Sequence, residues 1–588
     1  MDSKHVTEST SGQEDIQKTW WKEAIIYQIY PRSFQDSDGD GIGDLNGITS
    51  RLDYIQSLGV DIIWLNPIFL SPNDDNGYDI SDYREIMREF GTMEDFDRLL
   101  KEIHKREMRL VLDLVVNHTS DEHPWFEEAR KSRHNPYYNY YHWWPAEKGE
   151  PPLRLSYFDE EGNAWTYNKS TDSYYLHYFS RKQPDLNWEN PEVRQEIFDM
   201  MRFWFDKGID GFRMDSISLI AKDPSFPLID SKKYPDIFSF YAKEPRLHLY
   251  LHEMNRQVLS KYDCMSVGEG SAVMVDDVAK FVDPAREELN MLYHFDAARI
   301  RNTTLPDNPE SGIDYSLIAL KKMFTEWDKA VDKGWPSIYL GNHDQPRMVS
   351  RFGSDKDEFR ALSAKMLITF LLTMRGTPYW FAGDEIGMRN IRFDRIEDYN
   401  DIDTITRYKK AKAEGKDPQA VLDEQKETGR DNARTPFQWD RSPEAGFTAG
   451  TPWLKVNPDY TWINVADEEK DPTSILNYFK KVVSFRKENP SLIYGSYHLL
   501  DAENPQSYTF LRKTGADTYL IMLNFSPKAA ISTPGIDMSN AHVLLDNYGD
   551  RSHMAPQKDI TLRPFEAIVF QLNHPVYESF IDSLDLLE

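Results

Sequence analysis

Short segments that are apolar throughout recur along most of the chain and are separated by stretches with helical spacing. Uniformly apolar segments of this kind are typical of parallel strands that are buried on both faces. The sixth of the eight segments is the weakest; they are Ala24–Tyr30, Val60–Leu65, Leu110–Val116, Gly208–Met214, Met265–Val267, Leu289–Phe295, Ser337–Leu340 and Thr377–Phe381. Eight strands alternating with helices predict an α/β fold built on a closed (β/α)8 barrel, with a doubly wound open sheet as the alternative.

The stretches between these strands carry helix signals. Thr92 and Asp95 have the spacing of a capping box, and apolar residues follow them at helical intervals as far as Ile103. Residues 359–374 form a second long helical candidate. Both patterns support the alternation of strand and helix.

The uneven spacing of the strands predicts insertions. The gap between the third and fourth strands is too long for one helix and two loops, and a charged helical stretch follows the eighth strand. Near the C-terminus, short alternating strands with turns predict an antiparallel β-sandwich. We therefore divide the chain into a disordered leader at 1–19, a barrel at 20–117 and 191–497, an inserted domain at 118–190, a helical lid at about 384–438 within the barrel, and a β-sandwich at 498–588.

The composition is strongly acidic, with 97 Asp and Glu against 69 Lys and Arg and a formal net charge of -28. Such a surface repels nucleic acid and anionic lipid, so we expect neither as a partner. A single cysteine excludes an intrachain disulfide and a cysteine metal cluster. There is no apolar run of the roughly 18 residues that span a bilayer and no hydrophobic signal core at the N-terminus. We expect a cytoplasmic monomer or weak homodimer that acts on a small molecule.

Charged side chains follow several of the predicted strands, at the end of the barrel where enzymes of this fold place catalytic groups. These side chains are Asp215, Glu269, Asp344, Arg213, His118 and His343. Three carboxylates that converge on one cavity raise one another's pKa, which a purely structural role does not explain. The pattern therefore predicts an active site for acid–base chemistry, although a lone histidine is more often structural.

Four segments around these residues resemble the signature segments of the α-amylase family, glycoside hydrolase family 13, and occur in the order typical of that family. They are Asp113–His118, Gly211–Asp215, Val267–Glu269 and Asn342–Asp344. A fifth segment, Gln183–Asn187, resembles one found in the oligo-1,6-glucosidase branch. The resemblance runs from about Trp20 into the C-terminal sandwich, and it implies a retaining α-glucosidase.

By this resemblance, Asp215 is the nucleophile, Glu269 is the general acid/base and Asp344 binds substrate hydroxyls. The implied double displacement needs one ionised and one protonated carboxyl group close together. We expect Arg213 to keep Asp215 ionised, and neighbouring carboxylates to raise the pKa of Glu269. His118 and His343 are expected to donate hydrogen bonds to hydroxyls of the same sugar ring.

The resemblance also implies exo action. Asp75 and Tyr78, after the second strand, match family positions that close the pocket behind the non-reducing end, and Arg430 matches the partner of Asp75. The alternative for the Asp75–Arg430 pair is a surface salt bridge. Phe179 resembles an aromatic residue that packs against the bound sugar, with core packing as its alternative, and we also include Gln183 among the substrate-binding residues.

An acidic loop follows the first strand and alternates oxygen ligands with glycines, which is typical of a calcium loop. The expected ligands are the side chains of Asp36, Asp38, Asp40 and Asp44 and the carbonyl oxygen of Ile42. The loop lacks the twelfth-position glutamate and the flanking helices of an EF-hand. We predict a structural Ca²⁺ without a catalytic part, with a metal-free turn as the alternative, and no organic cofactor.

Two positions depart from the family pattern. In the relatives, valine after the nucleophile accompanies α-1,6 cleavage and threonine accompanies α-1,4 cleavage; Ser216 shares the hydroxyl of threonine and so favours α-1,4 or mixed activity. Sucrose isomerases carry an Arg-x-Asp-Arg-x segment after the sixth strand, whereas Arg299–Thr303 has neither the aspartate nor the second arginine at its place.

We therefore predict hydrolysis of short α-glucosides such as maltose, isomaltose or sucrose. The alternative is a sucrose isomerase or transglycosylase that uses the same intermediate. A non-catalytic, membrane-anchored relative is disfavoured because the three catalytic residues are all present.

Overall fold

The structure is a computed structural model that describes residues 18–158, 162–230, 232–233, 237–296, 316–515, 517–552, 554 and 557–572. Most of the predicted leader at 1–19 and the whole segment Arg299–Thr303 lie outside the described residues. Among the residues that are described, no helix combines the length and the apolarity needed to cross a membrane.

Eight parallel strands form a nearly closed barrel, and the predicted (β/α)8 fold is confirmed. The strands are β1 (Ile26–Ile29), β2 (Ile62–Leu65), β3 (Arg109–Val115), β4 (Gly211–Asp215), β5 (Met265–Gly270), β6 (Met291–His294), β7 (Ser337–Ile338) and β8 (Thr377–Phe381). Their order is β6-β5-β4-β3-β2-β1-β8-β7. Side chains bridge the remaining seam, because the Ser337 hydroxyl donates to the Leu292 carbonyl at 2.7 Å and the Tyr339 hydroxyl donates to the His294 carbonyl.

The fourth strand begins later than its apolar pattern predicts, and the preceding helix explains the difference. Gly208 adopts a left-handed conformation with a φ of 109°, and its N–H donates to the Trp204 and Phe205 carbonyls. A glycine in this conformation is a common way to end a helix. The residues from Gly208 therefore belong to a helix cap, and β4 starts at Gly211.

Helices follow the strands around the outside of the barrel: Leu45–Ser50 and Leu52–Ser57, Met93–Lys105, Pro191–Lys207, Pro245–Gln257, Ala279–Val282, Leu317–Ala330, Arg360–Thr373 and Ile475–Glu488. The capping box predicted at Thr92 and Asp95 is present, since each side chain accepts a hydrogen bond from the backbone N–H of the other. Inside the barrel, aromatic side chains including Trp64, Tyr293 and Tyr379 fill the centre. They form the floor beneath the carboxyl ends of the strands.

Further elements lie where insertions are predicted, although the domain boundaries stay a prediction. Three antiparallel strands between β3 and β4 have the order Trp143–Pro145, Ser173–Leu176 and Trp165–Asn168. After β8, the helices Ile402–Ala413 and Pro418–Thr428, which we call the lid helices, pack on each other.

The C-terminal region contains two antiparallel sheets. One has five strands in the order Ser496–Leu499, Ser507–Thr514, Asp517–Asn524, Ala567–Leu572 and His542–Asp546, and the other pairs Ala530–Ser532 with Ile560–Leu562. Apolar side chains from both sheets, among them Leu520 and Leu562, form one buried cluster. The C-terminal antiparallel architecture is thereby confirmed.

Candidate active site

Three carboxyl groups from neighbouring strands surround the guanidinium of Arg213. Its Nη1 lies 2.8 Å from Asp113 Oδ1 and 2.8 Å from Asp215 Oδ1, and its Nη2 lies 3.0 Å from Glu269 Oε2. Arg213 and Asp215 share one face of β4 because they are two residues apart, and Asp113 is the register partner of Arg213 on β3. The guanidinium rests on the ring of Trp64 at 5.3 Å. Asp215 and Glu269 therefore meet above the aromatic floor.

Asp215 and Glu269 differ in proton affinity. Burial raises the pKa of Glu269 to about 8, and the charges of Asp215 and Asp344 add to this effect while Arg213 opposes it. Burial also raises the pKa of Asp215 to about 6, where Arg213 limits the increase without cancelling it. Near neutral pH, Asp215 is thus mainly ionised and Glu269 mainly protonated, which is the pair of states that double displacement requires.

Asp344 lies among cationic side chains in the loop that follows β7. Its Oδ1 lies 3.2 Å from Arg430 Nη1 and 3.0 Å from Arg434 Nη2. Burial raises its pKa, but the contact with His343 and the charges of Arg430 and Arg434 outweigh burial and hold the pKa of Asp344 below its usual range. Asp344 therefore stays ionised and can accept hydrogen bonds from hydroxyl groups.

Arg430 also contacts Asp75, as predicted for the closed end of the pocket. The distance from Arg430 Nη2 to Asp75 Oδ1 is 3.4 Å. Arg430 is held from behind by Asp401, whose Oδ1 accepts from Nε at 2.8 Å. Its guanidinium thus joins Asp75, Asp344 and Asp401 in one cluster, instead of lying on the surface as an isolated salt bridge.

The two predicted histidines lie in the wall of the site and make hydrogen bonds within the protein. Because Gln28 donates to His343 Nδ1 at 2.8 Å, the ring can donate from Nε2 to the Tyr78 hydroxyl at 2.7 Å. His118 Nε2 donates to the Tyr78 carbonyl at 2.9 Å. Burial lowers the pKa of both histidines to about 3, so both rings are neutral. Their hydrogen bonds to a sugar stay a prediction.

A cavity of about 540 Å³ opens above these groups. Its volume is in the range typical of small-molecule sites. The predicted residues that line it are Asp75, Tyr78, His118, Phe179, Asp215, Ser216, Glu269, Asp344 and Arg430. Gln183, Arg213 and His343 lie behind that lining, where they contact Asp75, Asp215 and Tyr78 respectively.

Residues 28–495 match the family model for the catalytic domain of α-amylases. The chain belongs to the α-amylase family. It is 51% identical over 571 residues to an oligo-1,6-glucosidase of Parageobacillus thermoglucosidasius, covering 95% of this chain and 100% of the relative. It is 49% identical over 567 residues to an oligo-1,6-glucosidase of Bacillus cereus, with 95% and 100% coverage.

Among solved structures, this family member is similar to a mutant of the trehalulose synthase MutB in complex with the substrate sucrose. The TM-score is 0.89 at 42% identity, and the match covers 94% of this chain and 99% of the other. MutB comes from Pseudomonas mesoacidophila MX-45.

Sequence reasoning missed several residues that line the cavity of this α-amylase family member: Tyr157, Phe158, Ser271, Phe295, Gln345, Asp403, Arg407, Gln425 and Thr428. Ser271 and Phe295 directly follow β5 and β6, and Gln345 lies in the loop after β7, so their places after strands mark them as candidates in the sequence. Asp403 and Arg407 are four residues apart on a lid helix. Their spacing places them on one helix face, but the sequence does not reveal which face meets the cavity.

The acidic loop after β1 brings three of the predicted calcium ligands together. Carboxylate oxygens of Asp36, Asp38 and Asp40 lie within 4.8 Å of one another. Asp44 lies outside this group, and its carboxylate accepts from the backbone N–H groups of Ser37 and Gly47 at 2.7 Å each, which caps the helix Leu45–Ser50. A cluster of three carboxylates fits a hard, oxygen-preferring cation.

Proposed function

We propose that this member of the α-amylase family is an exo-acting, retaining α-glucosidase that releases the terminal non-reducing glucose from short α-glucosides. The observation that carries the proposal is the arrangement of Asp215 and Glu269 around one guanidinium, in a cavity that Asp75 and Arg430 line. The oligo-1,6-glucosidase relatives support the same activity.

In the first half-reaction, a carboxylate oxygen of Asp215 attacks the anomeric carbon and forms an ester bond. The glycosidic bond breaks at the same time, and its oxygen receives the proton of Glu269. In the second half-reaction, the Glu269 carboxylate takes a proton from water, the water oxygen bonds to the anomeric carbon, and Asp215 leaves. Two inversions at one carbon give net retention of configuration.

The charged side chains at the closed end of the cavity bind and orient the sugar. Asp344 and Asp75 are acceptors for sugar hydroxyls, and Arg430 fixes both carboxylates relative to each other. Contacts to hydroxyls that strengthen as the ring flattens stabilise the transition state more than the ground state. A longer glucan cannot pass through this end, so cleavage is confined to the terminal residue.

For linkage, we propose mixed α-1,6 and α-1,4 activity. The names of the relatives favour α-1,6 bonds, whereas the Ser216 hydroxyl favours α-1,4 bonds. The test is turnover of isomaltose, maltose, sucrose, trehalose and maltotriose by the wild type, with Glu269→Gln as the inactive control. Release of glucose from the non-reducing end supports exo action, and cleavage at internal bonds of amylose without early release of glucose would contradict it.

The second candidate is a sucrose isomerase, which the similarity to the sucrose complex of MutB favours. It uses the same covalent intermediate but transfers glucose to the fructose that has just been released. Product analysis on sucrose separates the two: equal glucose and fructose support hydrolysis, and trehalulose or isomaltulose supports isomerisation.

We also propose that Asp36, Asp38, Asp40, Asp44 and the Ile42 carbonyl hold a structural Ca²⁺. The loop packs against a distant segment, since Thr448 donates to Asp36 and the Trp453 N–H donates to the Gly41 carbonyl at 3.0 Å. An ion here neutralises the repelling carboxylates and stabilises that junction. A chelator should lower the midpoint of thermal unfolding by several degrees while kcat is unchanged, and Asp38→Asn should no longer respond; a midpoint insensitive to chelation in the wild type would refute the site.

A further inference from the structure

The turn that follows the nucleophile has an unusual backbone. Ser216 is buried and adopts a left-handed conformation with φ 45° and ψ 30°. This region is uncommon for residues other than glycine and is least favourable for β-branched ones. The conformation directs the Ser216 N–H at Glu269 Oε2, at a distance of 2.7 Å. The backbone of Ser216 therefore holds the general acid in place.

A second hydrogen bond ties the same turn to the end of β5. The Ser218 hydroxyl donates to the Ser271 carbonyl at 2.9 Å, and the Ser271 hydroxyl contacts Glu269 Oε1 at 3.3 Å. The segment Glu269–Ser271 is thus held at its backbone as well as at its side chain. Ser271 also lines the cavity.

The two oxygens of the Glu269 carboxyl group have different surroundings. Oε2 faces the Ser216 N–H and Arg213 Nη2, which can only donate hydrogen bonds. A proton on Oε2 would point at donor hydrogens and lose both interactions. Oε1 faces the Ser271 hydroxyl, which can either donate or accept. The arrangement favours a proton on Oε1.

We propose that Glu269 delivers its proton from Oε1 and that Ser271 is the positioning residue that orients this oxygen, an inference that rests on the proposed function. In the first half-reaction, the Oε1–H bond breaks as the proton moves to the glycosidic oxygen, and the Ser271 hydroxyl then donates to the carboxylate. In the second half-reaction, Oε1 takes a proton from the attacking water and is restored.

Several ionisable groups act on Glu269 besides this hydroxyl. Arg213 and Asp215 face it from β4, Asp113 from β3, and Tyr339 and Asp344 from the loop that follows β7. A substitution at Ser271 leaves all of them in place. Any shift in the titration of Glu269 in such a variant is therefore attributable to the lost hydroxyl.

The test compares Ser271→Ala with Ser271→Thr, which keeps a hydroxyl. The pH profile of kcat/KM is measured on isomaltose, whose leaving group needs a proton, and on 4-nitrophenyl α-glucoside, whose leaving group does not. Loss of a donor to the charged form should move the alkaline limb of Ser271→Ala upward by roughly half a unit to one unit. Its kcat/KM should fall about fivefold to tenfold on isomaltose and less than about twofold on the nitrophenyl substrate.

Ser271→Thr should restore both readouts. Ser216→Ala keeps its backbone N–H, so its alkaline limb should stay at the wild-type position whatever its turnover. An unmoved limb in Ser271→Ala, or equal losses on the two substrates, would overturn the inference. A wild-type enzyme that cleaves neither substrate would instead overturn the proposed function, so the two failures are distinguishable.

Discussion

Buried arginines occur in two contrasting regions of the molecule. Arg213 in the active site is surrounded by carboxylates, which outweigh burial and raise its pKa. Arg486 and Arg512, between the barrel and the C-terminal sheet, donate to backbone carbonyls instead. Burial lowers the pKa of Arg486 to about 9 and also lowers the pKa of Arg512. The same side chain therefore has opposite electrostatic surroundings in the two regions.

The difference teaches what each cation does. Arg213 limits how far burial raises the pKa of Asp215 and of Glu269, so we expect its effect on the reaction. Arg486 and Arg512 take no part in proton transfer, because their partners are backbone carbonyls, which do not titrate. They satisfy carbonyl groups at the end of the helix Arg360–Thr373, where the helix dipole favours a positive charge. Their effect should appear in stability alone.

The largest expected effect is at the catalytic carboxyl groups. Asp215→Ala and Glu269→Gln should each lower kcat on disaccharides by about 10⁴-fold or more, because one removes the nucleophile and the other removes the acid. The midpoint of thermal unfolding should change little, since burial of these carboxyls is not a source of stability. Near-normal turnover in either variant would contradict double displacement by Asp215 and Glu269.

The next effect concerns Arg430. Arg430→Met should lower kcat/KM for maltose and isomaltose by roughly 10²-fold to 10³-fold, because Asp75 and Asp344 lose the cation that fixes them. Asp401→Asn, which weakens the support of Arg430 from behind, should show a smaller loss in the same direction. Kinetics on disaccharides measure both. If Arg430→Met instead lost only stability, Arg430 would have the same kind of role as Arg486 and Arg512.

A third effect should be confined to stability. Arg512→Met leaves the carbonyls of Leu492 and Gly495 without this donor, which should lower the free energy of unfolding by about 3 kcal/mol. The midpoint of thermal unfolding, measured by calorimetry, should fall by about 2–3 °C, because the entropy of unfolding of a chain this long is large. Arg512→Lys, with fewer donors, should be intermediate. A kcat below that of the wild type at 25 °C would break the contrast between the two regions.

The smallest effect is the pH dependence of the wild type. Asp215 must be ionised, so kcat/KM should rise with pH through about 6, and Glu269 must be protonated, so it should fall through about 8. For a substrate whose leaving group needs no proton, the alkaline limb of this bell-shaped profile should be absent. Steady-state kinetics on isomaltose and a nitrophenyl glucoside give both profiles.

The barrel could be predicted from the sequence because strands buried on both faces are apolar throughout. The start of β4 could not, because Gly208 continues the apolar pattern although it caps a helix. Catalytic candidates were visible because the fold gathers strand ends, and the family segments mark them. The lid residues Asp403 and Arg407 could not be recognised in the sequence, because only the packing of the lid helices places their side of the helix against the cavity.

Burial of charge was also invisible in the sequence. Arg486 and Arg512 lie in ordinary helix and strand patterns, and only the fold shows that carbonyls enclose both. For Glu269, a raised pKa was expected from neighbouring carboxylates, whereas burial is the larger cause. The direction of the Glu269 shift could thus be anticipated from the neighbouring residues, but the rise in the pKa of Asp215 beside Arg213 could not, because burial depends on three-dimensional packing.

Covalent capture of the nucleophile tests the central claim most directly. A 5-fluoro-α-glucosyl fluoride allows the first half-reaction and slows the second, so the glucosyl-enzyme accumulates. Peptide mapping by mass spectrometry should then find one added fluoroglucosyl group, attached to Asp215. Attachment to Glu269 or Asp344, or no covalent adduct together with β-glucose as the first product of maltose hydrolysis, would contradict double displacement at this site.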